Sequence, residues 1–155
     1  MTPAEFIAQI LPGAQACQRA TGIPASITIA QAALETGWGK DVMGNNLFGI
    51  KADKSWKGRT ATFMTTEEIN GRKVKMLGTF RAYNSWADAV IDRGLFLKQN
   101  KRYAGCFNLK TGPEWADALQ AAGYATDSNY ANSLKAVMRG RNMAQYDVLP
   151  NGARA

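Results

Sequence analysis

The 155-residue sequence contains no histidine. That excludes Ser-His-Asp and Cys-His catalysis, histidine-ligated zinc and any histidine-based pH switch. Its two cysteines, Cys17 and Cys106, are too few for a metal site of four thiolates. Two buried thiols are the expected state, and a single disulfide is the alternative in an oxidising compartment. No apolar run approaches the roughly 20 residues that a membrane-spanning helix needs. The opening Met1-Thr2-Pro3-Ala4-Glu5 lacks the basic start and long apolar stretch of a secretory signal. The expectation is a chain made in the cytoplasm, not inserted in a membrane, that reaches any substrate beyond it by another route. Carboxylates, hydroxyls, amides and tyrosines remain for chemistry, and no metal or organic cofactor is implied.

Hydrophobic residues make up 46% and charged residues 20%, the balance of a folded globular chain. One domain over residues 1–147 is expected, with a loose tail over 148–155. The net charge of +7 is unevenly spread: residues 51–81 hold eight basic side chains against Asp53, Glu67 and Glu68. A basic middle segment suits a polyanion such as nucleic acid or an anionic cell wall, and equally a merely solvated face.

Thr2-Pro3-Ala4-Glu5 is a capping box with proline at the first helical position, so a helix starts here. Pro12 is expected to interrupt it and restart a helix to about Arg19. Pro24 opens the next helix, which runs to Glu35 or Thr36 before Gly37 and Gly39 stop it. Residues 41–59 read as irregular. Thr60 to Ile69 and Arg72 to Tyr83 are rich in strand formers and flank Asn70-Gly71, the preferred type I′ hairpin pair. Ser85 caps a helix to about Gln99, in which Ala89, Val90, Leu95, Phe96 and Leu97 are expected to face the core. Thr111-Gly112-Pro113-Glu114 opens another, and Asp127 or Ser128 caps the last.

Chemistry concentrates in Ala30-Gln31-Ala32-Ala33-Leu34-Glu35-Thr36-Gly37-Trp38-Gly39. Glu35 ends an otherwise apolar helix, where the partial negative charge of the C-terminus and burial beside Leu34 and Trp38 both disfavour ionisation. A raised carboxyl pKa is what a general acid needs near neutral pH. The plainer reading is a solvated helical glutamate.

This stretch, followed by Asn46-Leu47-Phe48-Gly49-Ile50-Lys51, resembles glycoside hydrolase family 73, the peptidoglycan-cleaving glucosaminidases. Trp56-Lys57-Gly58, Thr65-Thr66-Glu67, Phe80-Arg81-Ala82-Tyr83 and Ala122-Gly123-Tyr124-Ala125-Thr126-Asp127 with Tyr130-Ala131 follow in order, so the resemblance spans roughly residues 10–140. It implies a mainly helical, lysozyme-like α+β fold with a helical lobe and a β-hairpin lobe flanking a glycan groove. It further implies hydrolysis of the β-1,4 bond after N-acetylglucosamine in peptidoglycan, with the muramidase bond as the alternative. By the same resemblance Glu35 is the general acid, Glu67 the second carboxylate and Tyr124 a tyrosine shaping the sugar subsite.

Two carboxylates of different character are the usual equipment of a glycosidase. Strand alternation sends Glu67 and Glu68 to opposite faces, so only one looks into the groove, and motif position selects Glu67. Candidate sugar contacts are Gln31, Trp38, Asn46, Phe48, Trp56, Tyr83 and Tyr130, with turn formation an equal reading for Asn46. Phe80, Trp86, Phe96 and Trp115 are expected in the core.

Three settings compete. A glycan-strand hydrolase without a signal suits a phage lysin or an effector injected by a type VI secretion system, the latter implying an immunity protein that plugs the groove. A catalytically silent peptidoglycan-binding domain keeps the fold but not the chemistry. A nucleic-acid-binding module fits the charge, yet no helix-turn-helix signature is present and Glu35 has no role against phosphate.

Overall fold

The computed structural model describes residues 1–149. It is α+β and mainly helical: α1 (Pro3–Thr21), α2 (Ala25–Thr36), β1 (Thr60–Ile69), β2 (Arg72–Arg81), α3 (Trp86–Gln99), α4 (Gly112–Ala121) and α5 (Tyr130–Gly140). Single 3₁₀ segments follow α3 (Lys101–Asn108) and α5 (Met143–Tyr146). The helices form one lobe, the antiparallel hairpin forms the other, and a groove runs between them, which is the lysozyme-like arrangement that the resemblance implies.

The helical lobe is built around α2. From Ala25 to Ala33 every residue of this helix is buried, with α1, α4 and α5 packed around it. A helix enclosed on all sides must be apolar or internally hydrogen-bonded all round: Ala25, Ile27, Ile29 and Ala30 are apolar, and the hydroxyls of Ser26 and Thr28 bond to Asp147 and Arg93. Its N-terminus has no side-chain cap of its own, because Pro24 stands at the cap position. The free amides are met from a distance. Gln18 Oε1 accepts from the Ala25 amide at 2.9 Å, and the Asp147 carboxylate accepts from the Ser26 amide at 2.7 Å and the Ser26 hydroxyl at 3.0 Å. The Val148 amide also donates to Gln18 Oε1, so the anchored chain reaches one residue past the expected boundary at 147. Residues 150–155 of the expected tail lie outside the described residues.

Three local expectations need correction. The first helix is continuous through Pro12, because Ala8 and Pro12 lie on its exposed side, where the carbonyl that proline leaves without a partner is not sealed in the core. In α3, Leu95 is exposed and Phe96 half-buried, while Arg93 and Gly94 face inward. Gly94 is small because α3 crosses α1 there: a Cβ would stand 3.3 Å from Cys17 Sγ. Helix α5 starts at Tyr130 without a side-chain cap, and Asp127 instead closes a turn by accepting from the Asn129 amide.

The hairpin turn and β1 are as expected, while β2 stops at Arg81, two residues short of the expected Tyr83. Asn70 (φ 52°) and Gly71 (φ 77°) both adopt the left-handed conformation that a type I′ turn requires, and the register runs from Thr60 opposite Arg81 to Ile69 opposite Arg72. Both cysteines are free thiols, Cys106 buried and Cys17 half-buried. Trp115 is fully buried as expected, and Trp86 packs half-buried on Phe6. Among the described residues no helix is long and apolar enough to cross a membrane.

Asp147→Ala removes the remote cap of α2 and is expected to destabilise the fold by about 1–2 kcal/mol. A thermal melt of the variant should show a midpoint lower by several degrees, about 2–4 °C for each kcal/mol lost.

Candidate active site

The groove has a volume of about 470 Å³ and draws its walls from both lobes. Glu35 comes from the last turn of α2, where Gly37 (φ 57°) ends the helix in a left-handed cap. Glu67 comes from β1, and the loop joining α4 to α5 supplies Tyr124 and Thr126. The strand alternation resolves as expected, with Glu67 lining the groove and Glu68 turned aside to accept from the Ser128 hydroxyl at 3.3 Å.

Glu35 is open to the groove yet crowded at its floor by protein atoms. Its carboxyl lies against the backbone of Gly49, where a Cβ would stand 2.5 Å from Oε1 and 2.8 Å from Cδ. Gly49 also has φ 66°, so both space and backbone call for glycine at this point. Desolvation by the surrounding wall, and after it the negative charge of Glu67, together raise the Glu35 pKa from 4.5 to about 7. The crowding does not come from Trp38, whose ring packs edge-on against Phe6 at 5.9 Å with Arg141 over it at 5.4 Å.

Glu67 is held from two sides. Lys51 Nζ lies 3.2 Å from Oε1, and the Thr126 hydroxyl donates to Oε2 at 2.8 Å. Thr126 Oγ1 in turn accepts from the Glu68 amide at 3.0 Å. These bonds tie the hairpin to the α4–α5 loop across the groove. Sequence reasoning missed Lys51 and Thr126, although both stood within quoted motifs; their partner is 16 residues away in one case and 59 in the other, and no local pattern signals such a pairing.

Of the sequence-nominated residues, the structure brings Glu35, Glu67, Tyr124, Phe48 and Tyr130 to the groove. The rings of Tyr124 and Tyr130 stack at 5.9 Å, and the Tyr124 hydroxyl donates to the Phe48 carbonyl at 3.0 Å. That bond fixes the segment on which Glu35 rests. Phe48 itself is buried, with its ring against Arg93 at 5.1 Å, so it shapes the floor from beneath.

The other nominated contacts are elsewhere. Gln31 is buried beneath the groove and bonded to Tyr130 and Arg93. Asn46 uses all its hydrogen-bonding capacity internally: its amide nitrogen donates to the Ile50 and Arg81 carbonyls, and its oxygen accepts from the Phe48 and Ile50 amides. The turn-forming reading of Asn46 is the one the geometry favours. Trp56 and Tyr83 pack on each other at 5.5 Å and line a separate depression beside α3. Tyr83 donates its hydroxyl to Asp92. Arg81 separates that depression from the groove, sandwiched between Trp56 and Phe96 and bonded to Asp92 at 3.0 Å. Phe80 is buried as expected and also backs the groove wall, whereas Phe96, expected in the core, is half-buried in that wall. Two of the eight basic side chains in residues 51–81, Lys51 and Arg81, are thus committed to carboxylates. No cluster of three acidic or thiol side chains capable of holding a metal occurs among the described residues.

Residues 11–143 match the family model described as mannosyl-glycoprotein endo-beta-N-acetylglucosaminidase. The peptidoglycan hydrolase FlgJ of Pseudomonas aeruginosa is 41% identical over 143 residues, covering 87% of this chain and 36% of that protein. The exo-glucosaminidase LytG of Bacillus subtilis is 35% identical over 130 residues, covering 79% of this chain and 45% of that protein. The chain therefore spans less than half the length of these curated relatives. A mutant peptidoglycan hydrolase from Sphingomonas sp. A1 superposes with a TM-score of 0.85 at 37% identity, covering 94% of this chain and 97% of that one. The glycoside hydrolase domain of Salmonella typhimurium FlgJ does so with a TM-score of 0.75 at 34% identity, covering 94% and 91%. With a family match over most of its length and a groove that holds two carboxylates from opposite lobes, the chain belongs to the glucosaminidases of glycoside hydrolase family 73.

Proposed function

We propose that the chain hydrolyses the β-1,4 glycosidic bond after N-acetylglucosamine in the glycan strands of peptidoglycan, with Glu35 as general acid. The observation that carries this reading is a carboxyl group at the floor of an open groove with its pKa raised to about 7 and a second carboxylate opposite. Near neutral pH Glu35 keeps a proton to give to the leaving glycosidic oxygen. Cleavage builds positive charge at the anomeric carbon, whether water or the substrate's own acetamido group attacks it. Glu67 supplies negative charge on the opposite lobe, and Lys51 and Thr126 fix its position. Tyr124, half-buried in the groove wall and backed by the stacked ring of Tyr130, gives a sugar an aromatic edge to lie against. Names of the relatives, a peptidoglycan hydrolase and an exo-glucosaminidase, support the substrate class.

The proposal extends to setting: a lytic agent brought to the wall as a phage lysin or as an injected type VI effector, whose immunity protein would occupy the groove. Expression directed to the periplasm should lyse a test bacterium, and expression retained in the cytoplasm should not.

Digestion of purified peptidoglycan, with reduced fragments read by mass spectrometry, tests the chemistry. Wild type should release fragments ending in N-acetylglucosamine; fragments ending in N-acetylmuramic acid would instead assign the muramidase bond. Glu35→Gln should lower the rate by about 10²- to 10⁴-fold. Gly49→Ala forces a methyl group into the Glu35 carboxyl and should cost as much as about 10²-fold through misplacement of the acid.

The pH dependence follows from the same shift. Activity should fall as Glu35 ionises near pH 7. Glu67→Gln removes a charge that raises the Glu35 pKa, so the remaining activity should lose its basic limb at lower pH than wild type. For stability the sign is the reverse of a salt-bridged carboxylate. The folded state binds the Glu35 proton more tightly than the unfolded chain, so stability declines as pH rises from 4.5 to about 7 and stays reduced above it. Glu35→Gln abolishes that penalty, and its melting temperature relative to wild type should rise between pH 4.5 and about 7 and level off above.

A further inference from the structure

Arg93 of α3 is wholly buried, and none of its bonds among the described residues is to a carboxylate. Its Nε and Nη2 donate to Gln31 Oε1 at 3.1 and 2.5 Å, and its Nη1 donates to Thr28 Oγ1 at 2.7 Å. A buried cation held by neutral groups alone is an unfavourable way to fill a core. What it does fix is the polarity of a chain of hydrogen bonds. A guanidinium only donates, so Gln31 must turn its oxygen towards Arg93 and its amide nitrogen away. That nitrogen donates to the Tyr130 hydroxyl at 2.7 Å. The Tyr130 oxygen is thereby committed as an acceptor on the protein side, and no acceptor among the described residues takes its hydrogen. Tyr130 lines the groove alongside Glu35, and burial raises its pKa, so the hydroxyl stays protonated. Its stacking partner Tyr124 differs, because that hydroxyl spends its hydrogen on the Phe48 carbonyl.

We propose that Arg93 and Gln31 are positioning residues that aim the Tyr130 hydroxyl into the groove as a fixed donor to an acceptor oxygen, a ring hydroxyl or acetamido carbonyl, of the sugar lying against Glu35. The inference rests on the reading of the groove as a glycan-cleaving site and adds to it a specificity contact supported from beneath. Gln31 acts on the sugar at one remove, and Tyr130 touches it.

The test exploits the direction of the chain. Tyr130→Phe keeps the ring stacked on Tyr124 and removes only the donor. Measured below the basic limb, its kcat/KM should fall by about 2- to 12-fold, the value of one neutral hydrogen bond. Gln31→Glu has the same shape and gives Arg93 a counter-ion, but offers Tyr130 no hydrogen. The tyrosine should then turn its own hydrogen inward, giving a similar loss of kcat/KM with a melting temperature no lower than wild type. The double variant should lose no more than either single one. Wild-type kcat/KM in a folded Gln31→Glu overturns the relay, and wild-type kcat/KM in Tyr130→Phe overturns it independently should the first variant not fold. The basic limb of the pH profile should stay in place in Tyr130→Phe; a shifted limb would mean that the hydroxyl serves Glu35 and would overturn the assignment to the sugar. A wild type that does not cleave peptidoglycan overturns the parent reading alone. The relay is then judged by binding of a β-1,4-linked N-acetylglucosamine tetramer: equal weakening in both variants supports it, and unchanged binding overturns it.

Discussion

The enclosure of α2 is the constraint on which the rest of the molecule depends. A helix buried from Ala25 to Ala33 cannot shift or rotate without opening the packing of α1, α4 and α5 around it. Its N-terminal amides are satisfied by Gln18 from the last turn of α1 and Asp147 from beyond α5, so the start of the helix is tied to the helix before it and to the C-terminal segment. At its other end Glu35 emerges into the groove with its backbone position already decided. Preorganisation of this kind matters because a proton donor misplaced by an ångström forfeits much of its effect. The stiff element is the one that carries Glu35.

The opposite wall is made differently. A two-stranded hairpin has little core of its own and two open edges, so its orientation is set by what it touches at its ends. At the base, the Arg81 amide donates to the Ile50 carbonyl, and Arg81 itself is clamped between Trp56 and Phe96. Farther out, Glu67 and Glu68 are bonded to Thr126 and Ser128 of the α4–α5 loop. These outer bonds are exposed and individually weak, whereas those around α2 are buried. The groove thus joins a wall fixed by core packing, which bears Glu35, to a wall held by a few exposed bonds, which bears Glu67.

Electrostatics divides along the same line. Glu35 opens to the groove but is partly desolvated by the wall behind it and feels the charge of Glu67, and both influences favour its protonated form. Glu67 stands beside the Lys51 ammonium and accepts from a hydroxyl, the surroundings of a carboxylate kept in place. Beneath them Arg93, Gln31 and Tyr130 form a polar chain inside an otherwise apolar core. Low local dielectric makes such a chain costly if incomplete and strongly directional when every member is satisfied.

The sequence by itself determined most of the elements and pointed to Glu35 and Glu67. Capping residues at Thr2, Ser85 and Thr111, the Asn70-Gly71 turn and strand alternation at Glu67 and Glu68 are local signals, because each depends on residues within a few positions of one another. Local signals also placed Glu35 at a helix end before two glycines. What they did not reach is anything whose partner is distant along the chain. Pro12 is harmless because of which side of α1 meets water, and Leu95 is exposed because α3 turns Arg93 and Gly94 inward instead. Asn46 and Gln31 resembled sugar ligands in a motif and proved to be internal braces, since their hydrogen-bond partners lie on segments that only folding brings near. Tertiary structure decided the crowding that raises the Glu35 pKa, the clasp on Glu67 and the direction of the Tyr130 hydroxyl. Desolvation, ion pairing and hydrogen-bond polarity are properties of surroundings, and surroundings in a folded chain are assembled from residues that sequence proximity does not connect.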